Sequence, residues 1–317
     1  MPDERRKGTE AKVAEHANVR NSKKHGAEAS KRNAVAPAAL TAIERVRLAR
    51  NPARPQTLDY IDYIFKDFFE IHGDRRYGDD GAIVAGLAHF GRLPVAIVGQ
   101  QRGRSTAERI RRNFGKPHPE GYRKAARVYE LAGRFGLPLI TFIDTQGAEP
   151  GVGAEERGQA EAIAYNLELM ARLETPSIAC VIGEGGSGGA LALGVANVVL
   201  IQENACYSVI TPEGCAAILW REATEENVTR AAEALKLSAP DLLRLGVADE
   251  IVPEPEGGAH TAPEQAAHIL ESAIKRNLGR LTKLAPAGLR RARERKFAAM
   301  GSAFLVSRRV ENAGPIG

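Results

Sequence analysis

The segment with the most unusual chemistry is Gly183-Glu184-Gly185-Gly186-Ser187-Gly188-Gly189-Ala190, with five glycines in residues 183–189. It stands between a strand-like apolar run and a helix-like one. Glycines let backbone N–H groups approach a ligand where a Cβ would clash. The start of the following helix adds unpaired N–H groups and a positive dipole end. Such a loop suits an oxyanion or a phosphate. It is not the nucleotide-binding G-x-x-x-x-G-K-S/T, because no Lys follows. It does contain G-x-S-x-G at residues 185–189, and Asp249 and His260 follow in the Ser, Asp, His order of an α/β-hydrolase. Three readings of these residues are therefore open: a set of backbone donors, a Ser187 nucleophile, or a tight turn packing helix on strand.

Upstream, Asp144-Thr145-Gln146-Gly147-Ala148-Glu149-Pro150-Gly151-Val152-Gly153 also follows an apolar run and opens a helix. Two such loops at the same end of neighbouring parallel strands would form one wall of a cleft. The acidic pair Glu155-Glu156 suits the start of that helix as a structural feature. Between Gln101 and Lys124 stand Arg102, Arg104, Arg109, Arg111, Arg112, Lys116, Arg123 and Lys124, broken by Asn113-Phe114-Gly115 and two prolines. Arginine forks at this density could clamp the phosphates of a large anion such as coenzyme A. A solvated loop or a subunit interface is the other meaning of the same stretch.

The elements that position these loops follow from periodicity. Ala38 to Arg50 predicts a short amphipathic helix ended by Pro52 and Pro55. Thr57 is expected to cap a helix with Leu58, Ile61, Ile64, Phe65 and Phe68 on one face. Strands are expected at Ala82–Phe90 and Pro94–Gly99, turning at Gly91-Arg92. A helix follows at Glu120–Phe135, then a strand at Leu139–Ile143 and one long helix from about Ala154 to Leu173. Ser177–Ile182 reads as a strand, followed by the glycine loop, a short helix near Gly188–Gly194, and a strand at Val198–Ile201. Tyr207–Ile210 and Val247–Val252 read as further strands, with helices from Pro263 onward. Apolar strands alternating with helices imply parallel pairing under helical cover.

The chain has 317 residues, 44% apolar and 26% charged, with only 5% aromatic, so its core must be built from aliphatic and small side chains. No apolar run reaches the roughly 20 residues that span a bilayer, and the polar N-terminus lacks the apolar stretch of a signal peptide. A cytoplasmic protein is expected. Cys180, Cys206 and Cys215 form no C-x-x-C pair, so buried free thiols are expected and no metal site on this chain. Residues 1–50 carry 12 Lys/Arg against 6 Asp/Glu, which accounts for the net charge of +5; the rest is nearly neutral. This leader is expected to be largely disordered. It is either a solvated tail or an arm of a non-catalytic RNA-binding protein.

The sequence resembles the alpha subunit of bacterial acetyl-CoA carboxylase carboxyltransferase. The resemblance is carried by Gly73-Asp74-Arg75, by residues 111–115 and 119–125, by Thr141-Phe142-Ile143-Asp144-Thr145, and by Gly151 through Glu161. Gly183 through Ala192, Tyr207–Ile210, Pro212–Ala216, Ile251–Pro255 and Gly257–His260 extend it in consistent order over roughly residues 50–280. It implies a crotonase-like α/β superhelix of repeated ββα units with additional helices at both ends. The chain would divide into a leader (1–50), a carboxyltransferase domain (51–280) and a C-terminal helical tail (281–317).

The resemblance also implies the reaction: transfer of a carboxyl group from carboxybiotin, borne on biotin carboxyl carrier protein, to acetyl-CoA, giving malonyl-CoA for fatty acid biosynthesis. A zinc-ribbon beta subunit would complete an alpha2beta2 assembly, with biotin carboxylase in the full complex; neither nucleic acid nor membrane is required. Gly188 and Gly189 would form a backbone oxyanion hole. Gly147, Gly151, Gly185, Gly186, Gly214, Arg112 and Arg123 would line the coenzyme A or biotin site. Carboxybiotin that releases CO2 leaves a ureido anion able to deprotonate the acetyl methyl, so the protein chiefly supplies fixed N–H donors. Ser187 is then structural. The chain departs from the family pattern at Gln146 and Glu149, where Pro and Tyr are usual, in the leader, and past about Arg280.

Overall fold

The structure, a computed structural model, describes residues 40–302; the leader through residue 39 and its expected disorder lie outside the described residues, as does the chain after 302. Helix α1 (Ala42–Ala49) starts at a capping box in which Thr41 and Glu44 satisfy each other's backbone amides. Its buried Val46 and Ala49 pack against Cys206, Ala232 and Leu237. Helix α2 (Thr57–Ile64) follows, capped at Gln56 and not at Thr57 as the sequence implies. The Thr57 hydroxyl instead donates to the Gln100 carbonyl at 2.5 Å.

Strands β1 (Lys66–Glu70), β2 (Ile83–Phe90) and β3 (Leu93–Gln100) pair antiparallel. Sequence periodicity missed β1, which is short, charged at both ends and kinked at Asp67 with φ 55°. Helix α3 (Thr106–Arg111) and a 3-10 turn at Asn113–Gly115 lead to α4 (Pro119–Phe135). Next come β4 (Leu139–Thr145), α5 (Val152–Glu156) and α6 (Gln159–Arg172). The single helix expected over 154–173 is broken at Gly158, whose φ of +82° is incompatible with a continuous helix.

Strand β5 (Ser177–Gly186) is followed at once by α7 (Ser187–Leu191), then β6 (Val198–Gln202) and β7 (Cys206–Ser208). Helices α8 (Pro212–Trp220), α9 (Glu225–Ala234) and α10 (Ala239–Arg244) precede β8 (Glu250–Val252). Helices α11 (Pro263–Leu281) and α12 (Pro286–Ala299) close the described chain.

The sheet runs β1-β2-β3-β4-β5-β6-β8, with β7 paired to the end of β5, and everything from β3 onward is parallel. Alternation along the strands sends side chains to two cores. Leu139, Ile143, Ala179 and Val181 face Tyr122, Tyr129 and Met170 of α4 and α6. Ile140, Phe142, Ile178 and Cys180 face Tyr60 and Ile61 of α2 and Leu270 and Ile274 of α11. Small residues let helix and sheet approach closely, as the low aromatic content implies. Cys180 and Cys206 are buried free thiols and Cys215 is half-buried.

Helix α12 falls within the stretch expected as a C-terminal tail, but it is tied into the fold. Arg293, 1% exposed, donates to the carbonyls of Ala171 and Leu173, to Ser177 Oγ at 3.1 Å and to Asn197 Oδ1 at 2.9 Å. No helix among the described residues is long and apolar enough to cross a membrane.

Candidate active site

The two glycine loops leave the same edge of the sheet, because β4 and β5 are adjacent and parallel with Thr145 opposite Gly185. The Thr145 hydroxyl fixes the first loop by donating to the Gly147 carbonyl (2.8 Å) and accepting the Gly147 amide (3.0 Å). Gly147 itself stands at φ +148°, which favours glycine.

What the sequence presents as a second loop is largely strand. Residues 184–186 pair with 206–208 of β7, so β5 extends to Gly186. The close approach of neighbours, more than loop flexibility, demands the glycines there. A Cβ on Gly183 would strike the Asp144 carboxylate, one on Gly185 the Tyr207 ring, and one on Gly186 the Gln146 carbonyl. A Cβ on Gly189 would lie 2.6 Å from Ala148 N and 2.9 Å from Tyr122 Oη. Only at Gly188 is there room, with Ile163 at 3.8 Å.

Helix α7 is a single turn, so its contribution is local: the amides of Ser187, Gly188 and Gly189 have no partner within the turn. Among the described residues neither Gly188 nor Gly189 donates its amide to any acceptor outside α7. Gly189 is buried, Gly188 half-buried and Ser187 exposed with φ +53°. The backbone thus presents unsatisfied donors at the mouth of the sheet edge, an arrangement suited to an oxyanion.

Side chains that sequence reasoning passed over hold this turn. Gln100, fully buried at the end of β3, donates to the Gly189 carbonyl at 2.8 Å and accepts the Asp144 amide at 3.0 Å. Asp144 accepts the Glu184 amide at 3.1 Å and pairs with Arg102 Nε at 2.9 Å. Burial pushes the Asp144 carboxyl upward, and the Arg102 guanidinium opposes that. Arg50 bridges Glu184 and Glu213, both at 2.6 Å, joining the end of α1 to β5 and α8. The hydrogen bond from Arg50 holds the Glu213 carboxyl below its usual range. The only sequence signal for this frame was polar residues inside apolar strands, which bury only when paired.

The two arginines expected to bind substrate are committed to the protein. Arg123 donates to Asp74 at 2.8 Å, to Glu120 at 3.2 Å and to the Arg157 carbonyl at 2.9 Å. Arg112 donates to Glu108 at 3.2 Å and the Gly81 carbonyl at 2.9 Å. The carboxylates of Asp74, Glu108 and Glu120 and the distant carbonyls of Gly81 and Arg157 occupy both forks, which therefore brace α4 and the α3 turn. Gly214 lies in the first turn of α8, its amide capped by Thr211 Oγ1 at 3.1 Å. Gly151 caps α5, and its amide donates to Glu149 at 3.0 Å.

Glu149 does not face the glycine turn. Its carboxylate accepts Asn113 Nδ2 at 2.8 Å and the Gly151 amide, and the Asn113 bond keeps it below its usual range. Gln146 is exposed at the cleft edge.

The hydrolase constellation is not assembled. The Asp249 amide bonds the Val199 carbonyl at the start of β6, and its carboxylate takes Val199 N and Lys296 Nζ. Val199 is level with Ala179 near the start of β5, whereas Ser187 follows the end of that strand, so Asp249 and Ser187 lie near opposite ends of the parallel strands. Among the described residues no group of three or more His, Cys, Asp or Glu is placed to hold a metal.

Comparisons with known proteins agree with this architecture. Residues 4–301 match the family described as acetyl co-enzyme A carboxylase carboxyltransferase-like. The acetyl-coenzyme A carboxylase carboxyl transferase subunit alpha of Aquifex aeolicus is 56% identical over 84% of this chain and 82% of its own. That of a Thermus thermophilus strain is 57% identical over 83% of this chain and 84% of its own. In fold, the chain is similar to transcarboxylase 12S, with TM-score 0.59 and 21% identity over 73% of this chain and 42% of that one. It is also similar to a chain of a Pseudomonas malonate decarboxylase hetero-dimer, with TM-score 0.56 and 16% identity over 74% of this chain and 93% of that one. The α/β fold is thus the crotonase-like fold of these carboxyltransferases, and the chain belongs to the acetyl co-enzyme A carboxylase carboxyltransferase family.

Proposed function

We propose that this chain is the alpha subunit of an acetyl-CoA carboxylase carboxyltransferase, which carries a carboxyl group from carboxybiotin on biotin carboxyl carrier protein to acetyl-CoA, yielding malonyl-CoA. The observation that carries the reading is the pair of unpartnered amides at Gly188 and Gly189, fixed by Gln100 beside the Gly147 loop, in a chain of this family. Neutral N–H donors without an acceptor fit the carbonyl-type oxygens of a thioester or of a ureido ring. When bound, carboxybiotin supplies the CO2 and the base.

The chain's own part is electrostatic and positional. Its two α7 amides hold one oxygen on which negative charge develops, and rigid donors need no reorganisation as that charge appears. Gln100 and Thr145 keep the turn and the facing loop in place, so the donor positions do not spread. Gly186 acts by letting the Gln146 backbone close on it, Gly151, Gly185 and Gly214 by making room for the side chains of Glu149, Tyr207 and Ile210, and Gly147 by its backbone conformation. Arg112 and Arg123 act by bracing, not by contacting substrate.

The reaction develops charge on two oxygens, and this turn serves one. A beta subunit supplies the other donors in this reading, as a zinc-ribbon partner in an alpha2beta2 assembly working with biotin carboxylase in the cytoplasm. Exposed apolar side chains flanking the cleft, Val152, Val209, Ile218 and Leu219, support a partner surface there. Carboxyl transfer from malonyl-CoA to free biotin tests the proposal. The purified chain should be inactive alone and active once mixed with the beta subunit; turnover in a preparation shown to lack any partner would refute it.

A further inference from the structure

Tyr60, Tyr122 and Tyr129 are all fully buried. Two of the three have partners for their hydroxyls. Tyr60 Oη accepts a hydrogen bond from Gln202 Nε2 at 2.8 Å, and Tyr129 Oη donates to the Ala192 carbonyl at 3.3 Å. Tyr122 Oη has no partner among the described residues. A buried hydroxyl left unpaired costs stability, and a phenylalanine would fill the same space without that cost. We propose that Tyr122 is a positioning residue for carboxyl transfer: the fold leaves its hydroxyl unpaired beside Gly189 so that its dipole serves the oxygen held by the Gly188 and Gly189 amides. The inference rests on the carboxyltransferase reading and adds a side-chain dipole to a site built of backbone donors.

Residues on both sides of Tyr122 hold it in place. Gly121 packs so closely on Asp80 that a Cβ there would lie 2.5 Å from Asp80 Oδ2. Arg123 is tied to Asp74 at 2.8 Å, and Lys124 Nζ to Asp79 Oδ1 at 2.7 Å and the Asp80 carbonyl at 2.8 Å. The ring lies in the core between α4 and the sheet. With α4 pinned on either side of it, the phenol cannot shift to find an acceptor. Its hydroxyl stands 2.9 Å from where a Cβ on Gly189 would be. In a helical turn the Cα–Cβ bond tilts toward the N-terminus, the side to which the free amides point. The hydroxyl is therefore on the donor side of the turn, behind Gly189, where solvent does not reach it.

This hydroxyl is a neutral dipole and not a base. Burial above all, with Asp80 and Tyr129 adding to it, pushes the phenol well above the usual tyrosine value, so it keeps its proton. Asp80 takes no bond from it: that carboxylate accepts the Ala82 amide at 2.9 Å and the His118 amide at 2.7 Å. With no acceptor in the resting fold, the proton is free to turn as negative charge builds on the oxygen at the amides. In a dry place of low dielectric such a dipole acts beyond direct contact. Its effect is smaller than that of a donor touching the oxygen.

Carboxyl transfer from malonyl-CoA to free biotin, measured on the chain assembled with its beta subunit, tests this with Tyr122→Phe, which removes one oxygen atom. Turnover should fall about tenfold, less than the loss of a contacting donor. KM for malonyl-CoA should stay within about twofold. The melting temperature should hold or rise, because an unpaired buried oxygen has gone. Tyr60→Phe is the contrast. It breaks a satisfied pair in the core on the other face of the sheet, so it should lower the melting temperature and leave kcat unchanged. An unchanged kcat in Tyr122→Phe overturns the inference, and so does a rise in KM alone. A lower melting temperature in Tyr122→Phe overturns it as well, since the hydroxyl would then be satisfied in the fold and not held for the reaction. These outcomes leave the carboxyltransferase reading standing. A wild-type assembly that transfers no carboxyl group refutes that reading, and the inference falls with it.

Discussion

Gly189 and Ala148 are in such close contact that a Cβ on the glycine would lie 2.6 Å from the Ala148 amide nitrogen. The glycine turn and the Gly147 loop are therefore one packed unit. Glycines at 183, 185, 186 and 189 each have a neighbour that excludes a side chain, whereas Gly188 has none closer than 3.8 Å. Packing accounts for four of the five glycines. The fifth needs another reason, and access to its amide is that reason.

Two substitutions should consequently separate. Gly189→Val must push apart the Gly147–Ala148 backbone, so its expected effect is loss of stability or assembly. Gly188→Val meets only Ile163, and should keep the melting temperature while its branched carbons crowd the donor amide. Losing one oxyanion donor typically costs about 10²–10³ in kcat, and a loss of that order is expected in the assembled enzyme. Near-wild-type turnover of Gly188→Val would remove this turn from the reaction.

Ser187 is exposed, in a left-handed backbone conformation, and makes no side-chain hydrogen bond among the described residues. Its positive φ resembles a nucleophile elbow, but its hydroxyl bonds no histidine or carboxylate among the described residues. Ser187→Ala in the assembled enzyme should lose less than about tenfold in rate, far below the loss of a nucleophile. Inactivation by several thousandfold with the fold intact would return Ser187 to catalysis.

The strands and their parallel pairing were legible in the sequence where a short, nearly continuous apolar run stood between helical segments, as in Leu139–Ile143 and Val198–Ile201. The glycine-rich end of β5 was not, because Gly183–Gly186 reads as loop until the distant Cys206–Ser208 pairs with it. The site was legible as a glycine cluster, and its frame was not. Gln100 and Asp144 looked like ordinary polar residues, and their meaning depends on partners from 40 to 89 positions away. Arg112 and Arg123 show the reverse case. A run of arginines reads as free charge, but Asp74, 49 positions from Arg123, has already taken one of them.

Arg293 gives a stability test remote from the site. It is buried without a carboxylate partner among the described residues, and burial pushes its guanidinium down to about 10. It is the donor for the Ala171 and Leu173 carbonyls and for Asn197. Each buried acceptor left unpaired costs about 1–3 kcal/mol, so Arg293→Ala should lower unfolding stability by about 3 kcal/mol or more. Urea melts should show this as a lower midpoint with little change in slope. An unchanged midpoint would mean that α12 contributes nothing to the fold.

Asp74 carries a pH dependence whose sign is set by its surroundings. Burial alone would raise its carboxyl, but the amides of Arg76, Tyr77 and Gly78 together with Arg123 outweigh that and hold it at about 2, below the ordinary 3.8. A group depressed in the folded state binds protons more readily when unfolded, so its stabilisation is complete above about pH 4. It is lost as pH falls from there toward 2, when the native carboxylate is finally protonated. Asp74→Asn should therefore melt lower than wild type at pH 7, because three amides and Arg123 lose a charged acceptor. The difference should shrink steadily as both are titrated from pH 5 to pH 2.5, since only wild type has this contribution to lose. Parallel melting curves across that interval would show that Asp74 is not held down by its partners, and that Arg123 is not committed to it.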